Sequence, residues 1–138
     1  MKYLQPFCFE SFQKMYKAGI RIAMGTDMGF EPDMGSNAAE LEIYVKLGMT
    51  PMDAILAATR NAAQAIKLGD DLGTVEAGKL ADMIAVNGDP LQNIACLQDK
   101  RNIQLVMKEG RLYADRRRGK SRNVVNVEPG EWKMVDYL

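Results

Sequence analysis

Asp27 is the residue of this sequence whose type and setting could do chemistry. It comes directly after the apolar run Ile20–Met24 and lies between Gly25 and Gly29. The run is too short for a typical helix and has glycine on both sides, which predicts a buried β-strand. In parallel α/β sheets and barrels, reactive groups lie at the carboxyl ends of strands. Asp27 could therefore be a general base or a metal ligand, or it could accept hydrogen bonds from loop amides, which is the more common role.

The absence of histidine restricts the chemistry more than any other feature of the composition. It excludes a Ser-His-Asp triad, a Cys-His pair and a histidine-based zinc site built from these residues alone. A metal ion held here alone would need oxygen ligands.

Length and charge limit the class of protein. The 138 residues suffice for one domain with a core, but an eight-stranded α/β barrel needs roughly 250. Lys+Arg and Asp+Glu balance at 18 each, so no net charge attracts nucleic acid or an anionic membrane. No apolar run reaches the ~20 residues of a bilayer span, and no signal peptide follows Met1. The cysteines, Cys8 and Cys96, form no CxxC pair, and we expect a cytoplasmic protein.

Hydrophobic periodicity predicts the elements that position Asp27. An apolar stripe at Phe9, Phe12, Met15 and Tyr16 indicates an amphipathic helix before the strand. The predicted helices are one over 6–18, one capped by Ser36 or Asn37 with Leu41, Tyr44 and Val45 buried, one begun by Thr50 and Pro51, and a further helix or its continuation over 61–67. The predicted strands are one over 20–24, a buried one over 81–86 and a hairpin over 103–114.

A change of period near residue 70 divides the chain. We predict a helical α/β part over 1–70, a β part over 71–114 and a tail of uncertain structure over 115–138. In the tail, Val124, Val125 and Val127 could add an edge strand. The basic residues between 116 and 122 lack interleaved aromatic residues, which is more typical of a solvated segment than of a nucleic-acid site. The run Thr59-Arg60-Asn61 could be a polar site, although such residues at a helix junction are more often caps.

The ordered set of motifs resembles the C-terminal part of metal-dependent amidohydrolases, of the imidazolonepropionase and Xaa-Pro dipeptidase (prolidase)-like branch. The resemblance covers about residues 9 to 114, and its specificity lies in the order and spacing of the set. The motifs are Gly25-Thr26-Asp27, Gly35-Ser36-Asn37-Ala38-Ala39-Glu40-Leu41, Gly48-Met49-Thr50-Pro51-Met52-Asp53-Ala54-Ile55, Ala58-Thr59-Arg60-Asn61-Ala62-Ala63, Leu72-Gly73-Thr74-Val75-Glu76-Ala77-Gly78-Lys79-Leu80-Ala81-Asp82 and Asn87-Gly88-Asp89-Pro90.

This resemblance implies a fold and a site. The fold would be α/β: the last αβ units of a TIM barrel with following helices, then strands of a small composite β domain. By position, Asp27 matches the acid at the end of the last barrel strand, which in the family touches the metal and serves as base and proton shuttle for the hydrolytic water. A divalent metal, with zinc as the expected ion, lowers the pKa of that water, and the carboxylate accepts its proton. The implied substrate is a small molecule or dipeptide with a C–N bond.

Departures from the family pattern limit what this chain should do alone. Met34 stands where related sequences often have a histidine, and the metal-binding His-x-His, the bridging lysine and the further histidines lie on earlier strands that these residues do not include. We therefore expect a C-terminal fragment that binds no catalytic metal and hydrolyses no amide by itself. No substrate-binding residue is identified.

A non-enzymatic oligomerising module derived from the same fold is the alternative. Apolar edges at 20–24 and at the hairpin predict self-association in either case. We expect no nucleic-acid or membrane partner.

Overall fold

A computed structural model describes residues 5–27, 35–117 and 122–123. Helices form the first part of this range and antiparallel strands the second. The elements are α1 (Gln5–Lys17), α2 (Ala39–Lys46), α3 (Pro51–Ala58), α4 (Arg60–Ala65), β1 (Met83–Val86), a 3₁₀ helix (Ile94–Gln98), β2 (Ile103–Lys108), β3 (Arg111–Asp115) and β4 (Arg122–Asn123). Within these residues, no helix combines the length and the apolar character that crossing a bilayer requires.

Helix α1 forms where the apolar stripe predicts it. Phe12 and Tyr16, one helical turn apart, pack against the core, and the Phe12 ring stacks on Tyr44 with 4.9 Å between ring centroids. Phe9 and Met15 do not pack against the core with Phe12 and Tyr16, and they remain 37% and 42% exposed. The stripe is therefore narrower than the sequence predicts.

The core lies between α2, α3 and the 3₁₀ helix. Its buried residues are Leu41, Tyr44, Met49, Ala54, Ala57 and Ile94. Ile94 brings the 3₁₀ helix onto α2, and Gln98 Nε2 donates to Glu42 Oε2 across the same contact at 2.8 Å. Among the described residues, no large side chain is fully buried. This core is small for a chain of 138 residues. Single domains of that length normally bury well over half of the surface that the unfolded chain exposes.

Helix α3 begins as predicted. Thr50 is in the extended conformation and its Oγ1 accepts a hydrogen bond from the Asp53 amide at 3.1 Å, while Pro51 occupies the first helical turn. The hydroxyl of Tyr16 donates to Asp53 Oδ2 at 2.7 Å. This contact ties α1 to the start of α3.

The sheet has the order β1-β2-β3-β4, with every neighbouring pair antiparallel. Ile84 pairs with Val106, and Val106 pairs with Ala114. The predicted hairpin is confirmed: Glu109 and Gly110 connect β2 to β3 with φ of 50° and 75°. Positive φ at both loop residues is the requirement of a type I′ turn.

Two predicted strands differ from the structure. The buried strand predicted over 20–24 is not formed, since this segment is neither helix nor strand and Ile20 is 54% exposed. A strand needs a ladder partner, and the described residues offer it none. The strand predicted as buried over 81–86 begins at Met83, and Ile84 is 52% exposed. β1 lies at the edge of the sheet, where nothing in the described part of the chain covers it.

The predicted cap of α2 is also wrong. Neither Ser36 nor Asn37 caps the helix with its side chain; Ala38 occupies the N-cap position in a helical conformation. The carbonyls of Ser36 and Asn37 instead accept from the amides of Ala39 and Glu40, so a backbone turn leads into the helix. The edge strand predicted at Val124–Val127 lies outside the described residues.

Candidate active-site segment

Residues 20–27 run beside α3 and α4 and carry Asp27 at their end. From Arg21 to Asp27, exposed and half-buried residues alternate. This period of two is typical of an extended chain, whose successive side chains point to opposite sides. The segment therefore has the side-chain alternation of an extended chain, but it has no strand partner among the described residues and is not buried as predicted.

Hydrogen bonds with residues of α3 and α4, rather than with neighbouring strands, hold this segment. The Met24 amide donates to the Ala57 carbonyl at the end of α3, at 2.9 Å. The Asn61 side chain, on α4, donates through Nδ2 to the Ile22 carbonyl at 2.8 Å. These two hydrogen bonds satisfy backbone groups that a sheet would otherwise pair.

Asp27 ends the segment in a left-handed conformation with φ of 49°, which aspartate tolerates better than most residues. Its side chain is exposed. In the described parts of the chain, no hydrogen bond or ion pair engages its carboxylate. The neighbouring Thr26 Oγ1 lies 3.4 Å from Asn37 Nδ2, the donor at the start of the next helical region. A carboxylate in this setting can accept a proton or contact a cation.

An open cleft of about 410 Å³ lies at the opposite end of the segment. Its walls come from α1, from the start of the segment and from α3 and α4; Tyr16, Ile20, Asp53, Arg60 and Asn61 line it. Asp27 is not among the lining residues. The structure therefore does not bring the predicted catalytic acid and this cleft together.

Several other carboxylates are already engaged in local contacts. The Thr50 hydroxyl, and then the Tyr16 hydroxyl, lower the pKa of Asp53. Lys46, and then Gln98, lower the pKa of Glu42. The Arg101 guanidinium lowers the pKa of Asp99 to about 2. Each carboxylate is ionised at neutral pH and serves a helix start, a helix face or a turn.

The donor set of the described residues does not fit a metal ion. Among the described residues, no group of three or more His, Cys, Asp or Glu side chains could bind one. The sequence contributes no histidine. Asp27 therefore cannot be joined here by the nitrogen ligands that a catalytic zinc site uses.

Asn61 is the site residue whose role the sequence does not reveal. The sequence offers Thr59-Arg60-Asn61 as a polar site or, more commonly, as helix caps, but Thr59 Oγ1 donates back to the Ile55 carbonyl of α3. The Asn61 side chain reaches a carbonyl 39 residues earlier in the chain. No local pattern encodes a contact at that separation, because it depends on how α4 packs against the segment.

Lys79 and Asp82, which lie in the motif run from Leu72 to Asp82, both bind backbone groups. Lys79 Nζ donates to the Gly69 carbonyl and to Thr74 Oγ1, each at 2.7 Å. Asp82 Oδ1 accepts from the Glu109 amide at 2.6 Å, next to the hairpin turn. Neither side chain has a catalytic setting.

Known proteins are similar to this chain in sequence and in fold. The model of the amidohydrolase family matches residues 9–113. Ochratoxinase from Aspergillus niger is 38% identical over 75% of this chain and 22% of its own length, and imidazolonepropionase from Pyrobaculum arsenaticum is 35% identical over 70% and 25%. A crystal structure of a Xaa-Pro dipeptidase with methionine bound in its active site is 42% identical, with a TM-score of 0.72 over 78% of this chain and 26% of that one.

The chain spans about a quarter of the length of these relatives. Its structural neighbours have the TIM-barrel type of fold of the amidohydrolase superfamily, and A. niger ochratoxinase is among them with a TM-score of 0.71. The family model covers well over half of the sequence. This chain belongs to the amidohydrolase family.

Proposed function

We propose that this chain contributes Asp27 as the base and proton shuttle of an amidohydrolase that cleaves C–N bonds. The observation that carries the proposal is the exposed carboxylate of Asp27 at the end of a segment that α3 and α4 hold in place. The family match over residues 9–113 includes this segment and both helices.

In the proposed reaction, the Asp27 carboxylate accepts a proton from the attacking water as the water oxygen bonds to the carbonyl carbon. The C–N bond then breaks, and Asp27 returns the proton to the leaving nitrogen. For an amide substrate the products are a carboxylic acid and an amine, and the Asp27 carboxylate is regenerated. General base catalysis of this kind contributes roughly 10²–10⁴-fold in rate.

The proposed metal, zinc or another divalent ion, would supply Lewis-acid activation of the water when bound. Its nitrogen ligands would have to come from residues outside these 138, since the sequence has no histidine. We therefore propose that the chain is the C-terminal quarter of the catalytic fold, with its β part belonging to the small β domain, and that it is inactive by itself.

Relatives limit the proposed substrate to small molecules. One relative is named a Xaa-Pro dipeptidase and another imidazolonepropionase, and a further structural neighbour is a phenylurea hydrolase. A dipeptide, an imidazolone and a phenylurea share a carbonyl carbon bonded to nitrogen. We propose this group as the reacting part of the substrate.

Complementation tests the proposal. The Xaa-Pro dipeptidase relative is truncated to remove the quarter that this chain matches, and the two polypeptides are co-expressed and assayed with zinc and a Met-Pro dipeptide. We expect hydrolysis by the pair and none by either polypeptide alone. Hydrolysis by the 138-residue chain alone would contradict the proposed incompleteness, and a stable pair without hydrolysis would contradict the proposed catalytic contribution.

Exposed apolar side chains support a second candidate, an oligomerising module without enzymatic activity. Phe7, Ile20 and Ile84 are 68%, 54% and 52% exposed, and they lie on α1, on the segment and on the edge strand β1. A second copy of the chain could cover such surfaces. Failure of complementation together with stable self-association would favour this candidate.

A further inference from the structure

The contact between Asn61 and Ile22 joins a polar side chain to the backbone of the segment that carries Asp27. Asn61 is half-buried on α4, and its Nδ2 donates to the Ile22 carbonyl at 2.8 Å. Ile22 lies five residues before Asp27. The contact is therefore on the same short piece of chain as the proposed catalytic carboxylate.

A third residue fixes the orientation of the Asn61 amide. Arg60 Nε donates to Asn61 Oδ1 at 3.3 Å, so the oxygen of the amide faces a donor and its nitrogen faces the Ile22 carbonyl. A carboxamide can satisfy both neighbours at once because it carries a donor and an acceptor. An aspartate at this position would turn an acceptor toward the carbonyl.

The segment has few other anchors. Among the described residues, its backbone makes two further hydrogen bonds with helices. The Ile20 amide donates to the Met15 carbonyl of α1 at 3.1 Å, and the Met24 amide donates to the Ala57 carbonyl of α3 at 2.9 Å. Met24 follows Ile22 by two residues and so lies on the same side of an extended chain. Asn61 and Ala57 thus bind alternate positions along the segment, as a neighbouring strand would.

We propose that Asn61 is a positioning residue for Asp27: its amide fixes the Ile22 carbonyl against α4, and the register of the segment then sets where the Asp27 carboxylate lies. The inference rests on the proposed function of Asp27. Asn61 itself acts through the backbone and touches no reacting atom.

The test uses the 138-residue chain and two NMR readouts that require no turnover. One is the hydrogen-exchange protection of the Met24 amide, and the other is the resonance of the Asp27 carboxyl carbon. We expect Asn61→Asp to lower the protection of the Met24 amide about 10-fold, because loss of one hydrogen bond loosens its neighbour. We also expect the Asp27 resonance to shift or broaden.

A matched control comes from the next turn of the same helix. Gln64→Ala removes the contact in which Arg21 Nη1 donates to Gln64 Oε1 at 2.7 Å. That contact joins α4 to a side chain of the segment and leaves the Ile22 carbonyl bonded. We expect Gln64→Ala to leave both NMR readouts as in the unchanged chain.

A second variant guards against loss of folding. If Asn61→Asp also removes protection from α1 and the hairpin, Asn61→Ala, which adds no charge, is measured instead. A variant that melts at a lower temperature but keeps the Asp27 resonance and the Met24 protection would show a merely structural role and overturn the proposal. Failure of the catalytic role of Asp27 would appear in a separate experiment, in which the co-expressed pair keeps its hydrolytic rate when this chain carries Asp27→Asn.

Discussion

Thr50 and Ser36 both looked like helix caps in the sequence, and the structure separates them. Thr50 Oγ1 accepts from the Asp53 amide, whereas the Ser36 side chain caps no helix. We expect Thr50→Ala to lower the free energy of unfolding by about 1 kcal/mol, the usual cost of removing a side-chain cap. Ser36→Ala is the control and should change it by less than about 0.5 kcal/mol. Urea unfolding of both variants checks this, and equal losses would contradict the assignment.

The lowered pKa of Asp53 predicts that the stability of the chain depends on pH. Hydrogen bonds from Thr50 and Tyr16 lower its pKa in the folded chain. A lowered carboxyl pKa stabilises the folded state above the unfolded value of about 3.9, and this contribution is lost as pH falls through the folded value. The difference in unfolding free energy between the unchanged chain and Asp53→Asn should therefore be constant from pH 7 to 5 and shrink below about pH 4.

Urea titrations at pH 7, 5, 4 and 3 measure that difference. Asp70→Asn serves as the control, since Asp70 is an exposed carboxylate in the turn after α4. A difference between the unchanged chain and Asp53→Asn that grows in acid would show that protonation of Asp53 favours folding and would contradict the geometry.

The glycines of the turn between α4 and β1 differ in what surrounds them. Gly73 has φ of 90°, and an added Cβ would lie 2.7 Å from Ala63 Cβ and 2.9 Å from Arg60 Cα. Gly78 has φ of 91° and nothing within 4 Å of an added Cβ. Both substitutions by alanine carry the left-handed penalty of roughly 1–2 kcal/mol, and Gly73→Ala adds a steric clash with α4.

We therefore expect Gly73→Ala to destabilise the chain by at least about 1 kcal/mol more than Gly78→Ala, because overpacking typically costs 1–3 kcal/mol. Thermal unfolding of the two variants side by side provides the comparison. Equal melting temperatures would mean that the 72–79 turn does not pack on α4 as described.

Local signals predicted the elements whose structure is determined locally. The cap and proline at Thr50-Pro51 place the start of α3, and the apolar periods place α1 and the hairpin. The 3₁₀ helix was missed, although Asn93 Oδ1 accepts from the Ala95 amide at its start and is a recognisable cap. The strand over 20–24 was wrong because the run supplies the right side chains, while a strand also needs a partner ladder.

The same difference between local signals and tertiary packing applies to the residues of the candidate site. The sequence identifies Asp27 from its position after an apolar run and from the family resemblance, and its catalytic role stays a prediction. The sequence marks Asn61 only within a polar run, and its contact with Ile22 could not be found because tertiary packing brings the two residues together. The predicted division of the chain at residue 70 also stays a prediction.

The small core and the exposed apolar edges predict that the whole molecule self-associates. No large side chain is fully buried among the described residues, and Ile84 on β1 is 52% exposed. An uncovered edge strand favours pairing with another chain. We expect the average mass in sedimentation equilibrium to rise with concentration, and Ile84→Lys to reduce that rise.

Val75→Lys is the matched control for this prediction. Val75 is 84% exposed but lies in the loop between α4 and β1, outside the edges predicted to associate. A mass that stays monomeric at high concentration would contradict the expectation of self-association, and an equal effect of both lysines would remove β1 from the interface.

The catalytic role of Asp27 is tested most directly by the hydrolytic rate of the complemented pair. This chain is paired with the truncated Xaa-Pro dipeptidase and assayed with zinc at a saturating concentration of the dipeptide. Three versions of this chain are compared: the unchanged chain, Asp27→Asn and Asp70→Asn. The account predicts that Asp27→Asn lowers kcat by roughly 10²–10⁴-fold while Asp70→Asn leaves it unchanged. A pair that carries Asp27→Asn and keeps its full kcat would contradict it.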